Sequence, residues 1–292
     1  MKILITGGSG FLGSHVADEL SKKGHEVIIF DKKKSKWLRK DQKIFIGNIL
    51  DYNKAARAIK GVKIVFHLAA LSDLEDAMHK PLETVKNNIL GTVNILELSK
   101  KNNVKRIIYA SSIYSMSSQG GFYRCSKKAA EDYIEEYYKR YGLSFTVIRY
   151  GSLYGLRTNR SNGVFRIIED AIEEKKIQYI GNKKALRRYI HVADAARATT
   201  DIMSSKYKNK YVNILGTKIY KVTELLNIIS NSLNIRGKVR FLNAQVMGHY
   251  IKFPKLFRLK KGTNYKLKND TKFQNGISSL IKNMKKNKKK YY

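Results

Sequence analysis

Cysteine is nearly missing from this 292-residue chain. Cys125 stands alone, so no intramolecular disulfide can form and a reducing compartment suits the protein. Long apolar runs are missing as well. No stretch of about 18 apolar residues occurs, which excludes a membrane-spanning helix. The opening MKILITGGSG runs into a glycine-rich turn without an apolar leader core or a small-residue cleavage site. No signal peptide is expected from it, and a cytoplasmic protein is the resulting expectation. Acidic residues are scarce: 23 Asp and Glu face 58 Lys and Arg, a formal net charge of +35. A nucleic-acid binder is the sharpest reading of such a charge. The lysines are spread over the whole chain instead of gathered into one patch, which favours a merely lysine-rich surface and no nucleic-acid partner. The exception is Lys285–Lys290, followed by Tyr291 and Tyr292. This end is expected to be disordered and to offer its charge to an anionic membrane surface or an acidic partner. No internal repeat is visible and no metal site is expected.

What is present is a core. Apolar residues make up 43% of the chain, enough for one large domain, or a large and a small one. Short apolar runs at Lys2–Thr6, Glu26–Phe30, Lys43–Ile46, Lys63–Leu68, Lys105–Ser111 and Ser144–Arg149 read as buried strands. Helical patterns at Phe11–Lys23, Tyr52–Lys60, Pro81–Lys101 and Phe122–Tyr141 separate most of them. Buried strands alternating with helices predict an α/β fold with a doubly wound parallel sheet, its ligand at the carboxyl ends of the strands. Past Tyr150 the alternation becomes irregular. Helices near Val164–Lys175 and Val192–Ser204 and a strand at Ile177–Ile180 suggest a smaller, discontinuous substrate-binding lobe. The segment from Arg236 to Asn269 carries too little pattern to place.

The first strand leads into Gly7, Gly10 and Gly13, spaced G-x-x-G-x-x-G before a helix. Gly7 allows a tight turn, Gly10 lets backbone approach a pyrophosphate, and Gly13 lets the helix pack close to the sheet. The helix start offers free amides and a positive dipole end. Asp31 follows the second strand, where a carboxylate can hold the adenosine ribose hydroxyls, and this favours NAD. Lys32, Lys33 and Lys34 follow it, and they keep NADP open as acceptors of a 2′-phosphate. Further along, Tyr123 and Lys127 lie four apart on a predicted helix and share a face. An ammonium near a phenol lowers the phenol's pKa, so Tyr123 can remove a proton from a sugar hydroxyl. Ser112, at the end of the fifth strand, can steady the same oxygen. Tyr-x-x-x-Lys arises by chance in a chain with 19 tyrosines. The weight comes from its place after the glycine turn and the strand end.

Taken in order, ITGGSGFLGSH (5–15), GNILD (47–51), HLAA (67–70), NILGTVNIL (88–96), YASS (109–112), YRCSKKAAE (123–131), IRYGSLYG (148–155) and RRYIHVADAA (187–196) form a pattern, and FQNGISSLI (273–281) resembles a closing helix. Together they resemble the extended short-chain dehydrogenase/reductases of the NAD-dependent epimerase/dehydratase family, close to the UDP-glucose 4-epimerases. The resemblance implies an NAD-binding Rossmann domain over residues 1–155. A mainly substrate-binding lobe over 156–284 is interleaved with it, and 285–292 form the basic tail. It implies that Gly7, Gly10, Phe11, Leu12, Gly13, Asp31 and Lys127 bind the dinucleotide, with Asn48 and Ile49 at the adenine. Leu68, Ala69 and Ala70 would line the cleft. Tyr123 would be the base and Ser112 its partner. Arg187 would grip the nucleotide-sugar phosphates, with Ser152 near the sugar diphosphate. Asp194 matches a structural acid, and His191 is read as a packing residue.

Several positions depart from the family pattern. Asn48 stands for the usual aspartate, Ser152 for a common asparagine and Leu156 for the usual proline. Only ten residues separate Ser112 from Tyr123. Sugar 4,6-dehydratases carry an Asp-Glu pair where this chain has Ile113 and Tyr114, and the glutamate of a decarboxylase is missing too. The residues left suit a 4-epimerase of a UDP-hexose, such as UDP-glucose and UDP-galactose or their N-acetyl forms. A 4-ketosugar reductase using NAD(P)H would employ the same groups. A non-catalytic RNA-binding or regulatory protein is the contrasting expectation, motivated by charge. A homodimer is expected through the helices at 81–101 and 122–141.

Overall fold

The apolar runs of the first half become adjacent strands. The computed structural model describes residues 1–235, 237–242, 262–267 and 270–286. Strands β1 (Lys2–Thr6), β2 (Glu26–Asp31), β3 (Gln42–Ile46), β4 (Ile64–His67), β5 (Arg106–Ser112) and β6 (Phe145–Tyr150) pair in parallel. The sheet order is β3-β2-β1-β4-β5-β6, continued by β11 (Lys210–Ile214) and β14 (Thr263–Asn264) to eight strands. The chain moves outward from β1 to β3, then returns to the other side of β1 at β4. A crevice opens above the carboxyl ends at that reversal.

Strand alternation divides the apolar side chains between two faces. Leu4, Ile28 and Phe30 meet α2 (Tyr52–Ile59), α5 (Gly91–Lys101) and α6 (Gly121–Tyr141) through Ile59, Leu96 and Ile134. Ile3, Ile5 and Ile29 meet α1 (Phe11–Lys22) and α8 (Val192–Asp201) through Val16, Leu20 and Ala195. A third cluster joins α7 (Gly163–Glu174), α9 (Val222–Leu233) and α10 (Phe273–Lys286), with Phe165, Leu226 and Ile277 inside it. Around it lie short pairs: β7 (Ser152–Tyr154) with β10 (Tyr189–His191), β9 (Leu186–Arg187) with β12 (Tyr220–Lys221), and β8 (Ile177–Ile180) with β13 (Val239–Leu242).

The structure corrects several sequence expectations. The helix expected at Pro81–Lys101 is continuous but carries an irregularity that the sequence reading did not include. α4 (Pro81–Val85) follows α3 (Leu74–His79), and Lys86–Leu90 form a π-turn before α5. The Gly91 amide bonds to the Lys86 carbonyl, five residues back, and the turn carries two buried, weakly helix-forming asparagines, Asn87 and Asn88. α8 ends at Asp201 rather than Ser204. Residues of the second half return to the sheet as β11 and β14. Lys285 and Lys286, placed in the tail by sequence, form the last turn of α10, where cations face the dipole's negative end. Residues 287–292 lie outside the described residues, as does most of 236–269. Among the described residues no helix is long and apolar enough to cross a membrane.

Candidate active site

The turn from β1 into α1 has almost no room for side chains. Gly7 adopts φ +73°, and a Cβ there would sit 2.7 Å from the Ala69 nitrogen. A Cβ on Gly13 would sit 2.1 Å from the Gly7 carbonyl oxygen. Gly10 caps α1 without a side-chain hydrogen bond, and the first turn of α1 holds no acid. Its leading amides therefore point at the cavity with no protein carboxylate competing, a fit for an anionic pyrophosphate.

A cavity of about 530 Å³ opens over this turn and runs along the strand ends. Gly7, Gly10, Phe11, Leu12, Gly13, Asp31 and Ile49 line it, as do Leu68, Ala69, Ala70, Ser112, Tyr123 and Lys127. Most of the expected dinucleotide and catalytic residues thus meet in one place. Asp31 closes β2, and its carboxylate accepts the Ser9 and Lys33 amides at 3.0 and 3.2 Å. Of the three lysines after it, Lys32 lines the cavity and donates to Asn87 Oδ1 at 3.1 Å.

Three expected residues stand apart from the lining. Asn48 turns its Oδ1 back to the Leu50 amide at 3.1 Å, while its neighbours Gly47 and Ile49 form the wall. Ser152 lies in extended β7, and the residues on either side of it, Gly151 and Leu153, face the cavity. Arg187 is buried in β9, where its Nη1 donates to the Leu186 carbonyl and its charge acts on Tyr179. His191 caps α8 through the Ala193 amide and packs edge-on against Tyr154 at 5.3 Å. Asp194 accepts the Thr271 amide at 2.8 Å and pairs with Arg197.

On α6, Tyr123 and Lys127 present the same face to the cavity. The Lys127 Nζ lies 5.8 Å from the Tyr123 ring centre and 4.9 Å from that of Tyr109, and it donates to the Ala110 carbonyl at 2.9 Å. Burial pulls the Lys127 ammonium down to about 7, against the opposing pull of Glu131. Burial pushes the Tyr123 phenol up to about 12, with the Ser112 hydroxyl acting the other way. The lowering of the phenol expected from Lys127 is therefore not seen, because desolvation is the larger influence on Tyr123.

Sequence reasoning missed the supports. The π-turn aims Asn87 into the cavity and Asn88 beneath it. Asn88 Oδ1 accepts the Leu71 amide at 2.7 Å, and its Nδ2 donates to the Leu71 carbonyl and to Ser126 Oγ. One amide thus fastens the cavity wall to the helix carrying Tyr123 and Lys127. Glu131, one turn past Lys127, accepts Arg149 Nε and Nη2 at 3.0 and 2.6 Å and the Ser111 and Ser115 hydroxyls at 2.5 and 2.8 Å. Ser72, Thr158, Ser161 and Asn162 add polar lining that no spacing rule singled out. Among the described residues no cluster of potential metal ligands occurs.

Comparison with known proteins agrees with this geometry. Residues 3–214 match the NAD dependent epimerase/dehydratase family. The UDP-N-acetyl-alpha-D-glucosaminuronate decarboxylase of Bacillus cytotoxicus is 33% identical over 264 residues, 82% of each chain. The UDP-glucuronate 4-epimerase of Thermodesulfobacterium geofontis is 28% identical, over 90% of each chain. The UDP-glucose 4-epimerase of Thermotoga maritima, solved with UDP-glucose, superimposes with a TM-score of 0.83 at 25% identity, over 98% of this chain and 99% of that one. Glycine turn, parallel sheet and Tyr-Lys helix are accounted for together: the chain belongs to the NAD dependent epimerase/dehydratase family.

Proposed function

We propose that the protein is a nucleotide-sugar epimerase that inverts C4 of a UDP-hexose through a transient 4-keto sugar, with NAD as its cofactor. The observation that carries this reading is the grouping of Ser112, Tyr123 and Lys127 on one cavity whose other end is the glycine turn. Gly10, Gly13 and the α1 amides would hold the pyrophosphate, and Asp31 the adenosine ribose. Bound NAD supplies a hydride acceptor that can return the hydride. The chain's own residues handle the proton. Tyr123 takes it from the sugar hydroxyl and gives it back, and Ser112 holds the same oxygen. Lys127, whose Nζ lies 5.8 Å from the Tyr123 ring centre, would donate to the nicotinamide ribose.

The acid-base partners of elimination are absent from the expected places, where Ile113 and Tyr114 stand. Glu131 does not replace them, since Arg149, Ser111 and Ser115 occupy its carboxylate. The relatives named above include UDP-sugar 4-epimerases, which supports the reading. Lys32 at the cavity favours one second reading, a ketosugar reductase using NADPH. A homodimer would cover the exposed Leu82, Val85 and Leu90 beside Phe122 and Tyr133 of α6.

The test is direct. The protein is purified without added cofactor and denatured, and the released dinucleotide is identified. A matched sample is incubated with UDP-glucose and assayed for UDP-galactose. Bound NAD with interconversion is expected, and Tyr123→Phe should lower turnover by about 10²–10⁴-fold. Consumption of NADPH by a 4-keto sugar without interconversion would favour the reductase. Neither cofactor nor turnover would refute both.

A further inference from the structure

The segment 155–162 crosses from the third apolar cluster to the rim of the cavity, and its fastening is unusual. Gly155, at φ +138°, starts it against Val192 and His191, where a Cβ would meet atoms at 2.8 and 3.1 Å. Asn162 ends it, donating to the Leu153 carbonyl at 2.8 Å and capping α7. Between these anchors Thr158 and Ser161 line the cavity opposite Phe11 and Leu12 of α1.

Arg157 bolts the middle of this strap to the dinucleotide half. Its Nη2 meets Asp18 of α1 at 2.7 Å, with side-chain exposures of 21% and 15%, a pair screened from bulk water. Its guanidinium lies 5.0 Å from the ring centre of Trp37, in the β2–β3 connection. Next to it, the Leu156 carbonyl lies 3.1 Å from His15 Nε2, a second tie to α1. Two features of Arg157 run against stability. It holds φ +67°, a left-handed conformation costly to a residue with a side chain, and its Nη1 is buried without a hydrogen-bond partner among the described residues. Such costs collect where the surroundings hold a residue for function.

We propose that Arg157 is a positioning residue that clasps the 155–162 strap over the dinucleotide and sets how long the cofactor stays bound. The inference rests on the reading above that this cavity takes a dinucleotide. An epimerase that regenerates its NAD in every cycle gains from slow release, and the clasp slows release without touching the reacting atoms. Asp18 and Trp37 are the other two parts of the fastening.

The test loads wild type, Arg157→Ala, Arg157→Lys and Asp18→Asn with NAD and chases with excess unlabelled NAD. Trp37 is the one tryptophan in the chain, so its emission reports the clasp directly. Release from Arg157→Ala and Asp18→Asn should quicken by about tenfold, the effect of losing about 1.4 kcal/mol of hold on the closed strap. Arg157→Lys keeps the charge but not the flat stack and should fall between. The Trp37 emission should shift in Arg157→Ala, and kcat at saturating NAD should hold while half-saturation by NAD rises. Wild-type release rates in folded Arg157→Ala and Asp18→Asn would overturn the clasp alone. A wild type that binds no dinucleotide would overturn the clasp together with the functional reading.

Discussion

Glu131→Gln is the sharpest perturbation of the site's foundations. The Glu131 and Arg149 side chains are 1% and 2% exposed, and Arg149 reaches the carboxylate with two nitrogens. Ser111 and Ser115, on and just after β5, complete the acceptor's set. A glutamine of the same size keeps some hydrogen bonds but leaves the Arg149 cation buried without its countercharge. Stranding one member of a buried pair costs about 3–5 kcal/mol. At roughly 2–4 °C per kcal/mol for a large domain, melting should fall by about 10 °C. Thermal unfolding followed by circular dichroism reads this. The double variant Glu131→Leu/Arg149→Met removes both charges and should recover most of the loss. A second readout separates stability from chemistry. Glu131 favours the charged form of Lys127, so the Lys127 ammonium should drop below about 7 in Glu131→Gln. A single variant melting within about 2 °C of wild type would refute the reasoning, because the pair would then carry no uncompensated charge worth about 1 kcal/mol.

Two other outcomes follow from geometry already described. Gly13→Ala drives a Cβ to within 2.1 Å of the Gly7 carbonyl oxygen and 2.8 Å of the Gly8 Cα, backbone that cannot swing aside. It should cost about 1–3 kcal/mol and abolish NAD retention, and calorimetric titration with native binding would contradict this. Lys127, buried with its ammonium drawn down to about 7, makes stability depend on pH. Between that value and about 10.4 the unfolded chain holds a proton that the folded chain has released, so stability rises with pH by about 1.4 kcal/mol per unit. The melting difference between wild type and Lys127→Met should therefore grow in favour of wild type from pH 7 to 9.5, and a flat difference would count against burial as the cause.

The central strands and the glycine turn were legible in sequence because each signal is local. A run such as KILIT is apolar enough to be buried on both faces, and the glycine spacing carries its own steric reason. β11 was not legible, since KYVNI shows neither a continuous run nor clean alternation and owes its place to pairing with β6. The π-turn was hidden because no residue type within Lys86–Leu90 marks by itself where the extra residue lies. Asn48 and Ser152 show a different limit. Both lie in segments that do form the cavity, yet their neighbours supply the wall. In extended chain, motif position names the segment, and the phase of alternation chooses the side chain. Arg187 lies beyond local reasoning altogether, since β9 is placed by its pairing with β12. Glu131 and Arg149 sit 18 residues apart and meet through the packing of α6 on the sheet.

The π-turn acts as a dislocation in an otherwise regular lattice. One surplus residue rotates everything beyond it by about 100° relative to an unbroken helix. The stretch can therefore turn Leu82 and Val85 outward before the fault while burying Thr92 and Leu96 after it. Excising one residue from 86–90 would anneal the fault into a smooth helix without removing any catalytic group. The two ends of the rod could then no longer both be in phase. Either the outward apolar row or the asparagine that fastens Leu71 would have to slip, so the dislocation is what lets one helix serve a surface and a site at the same time.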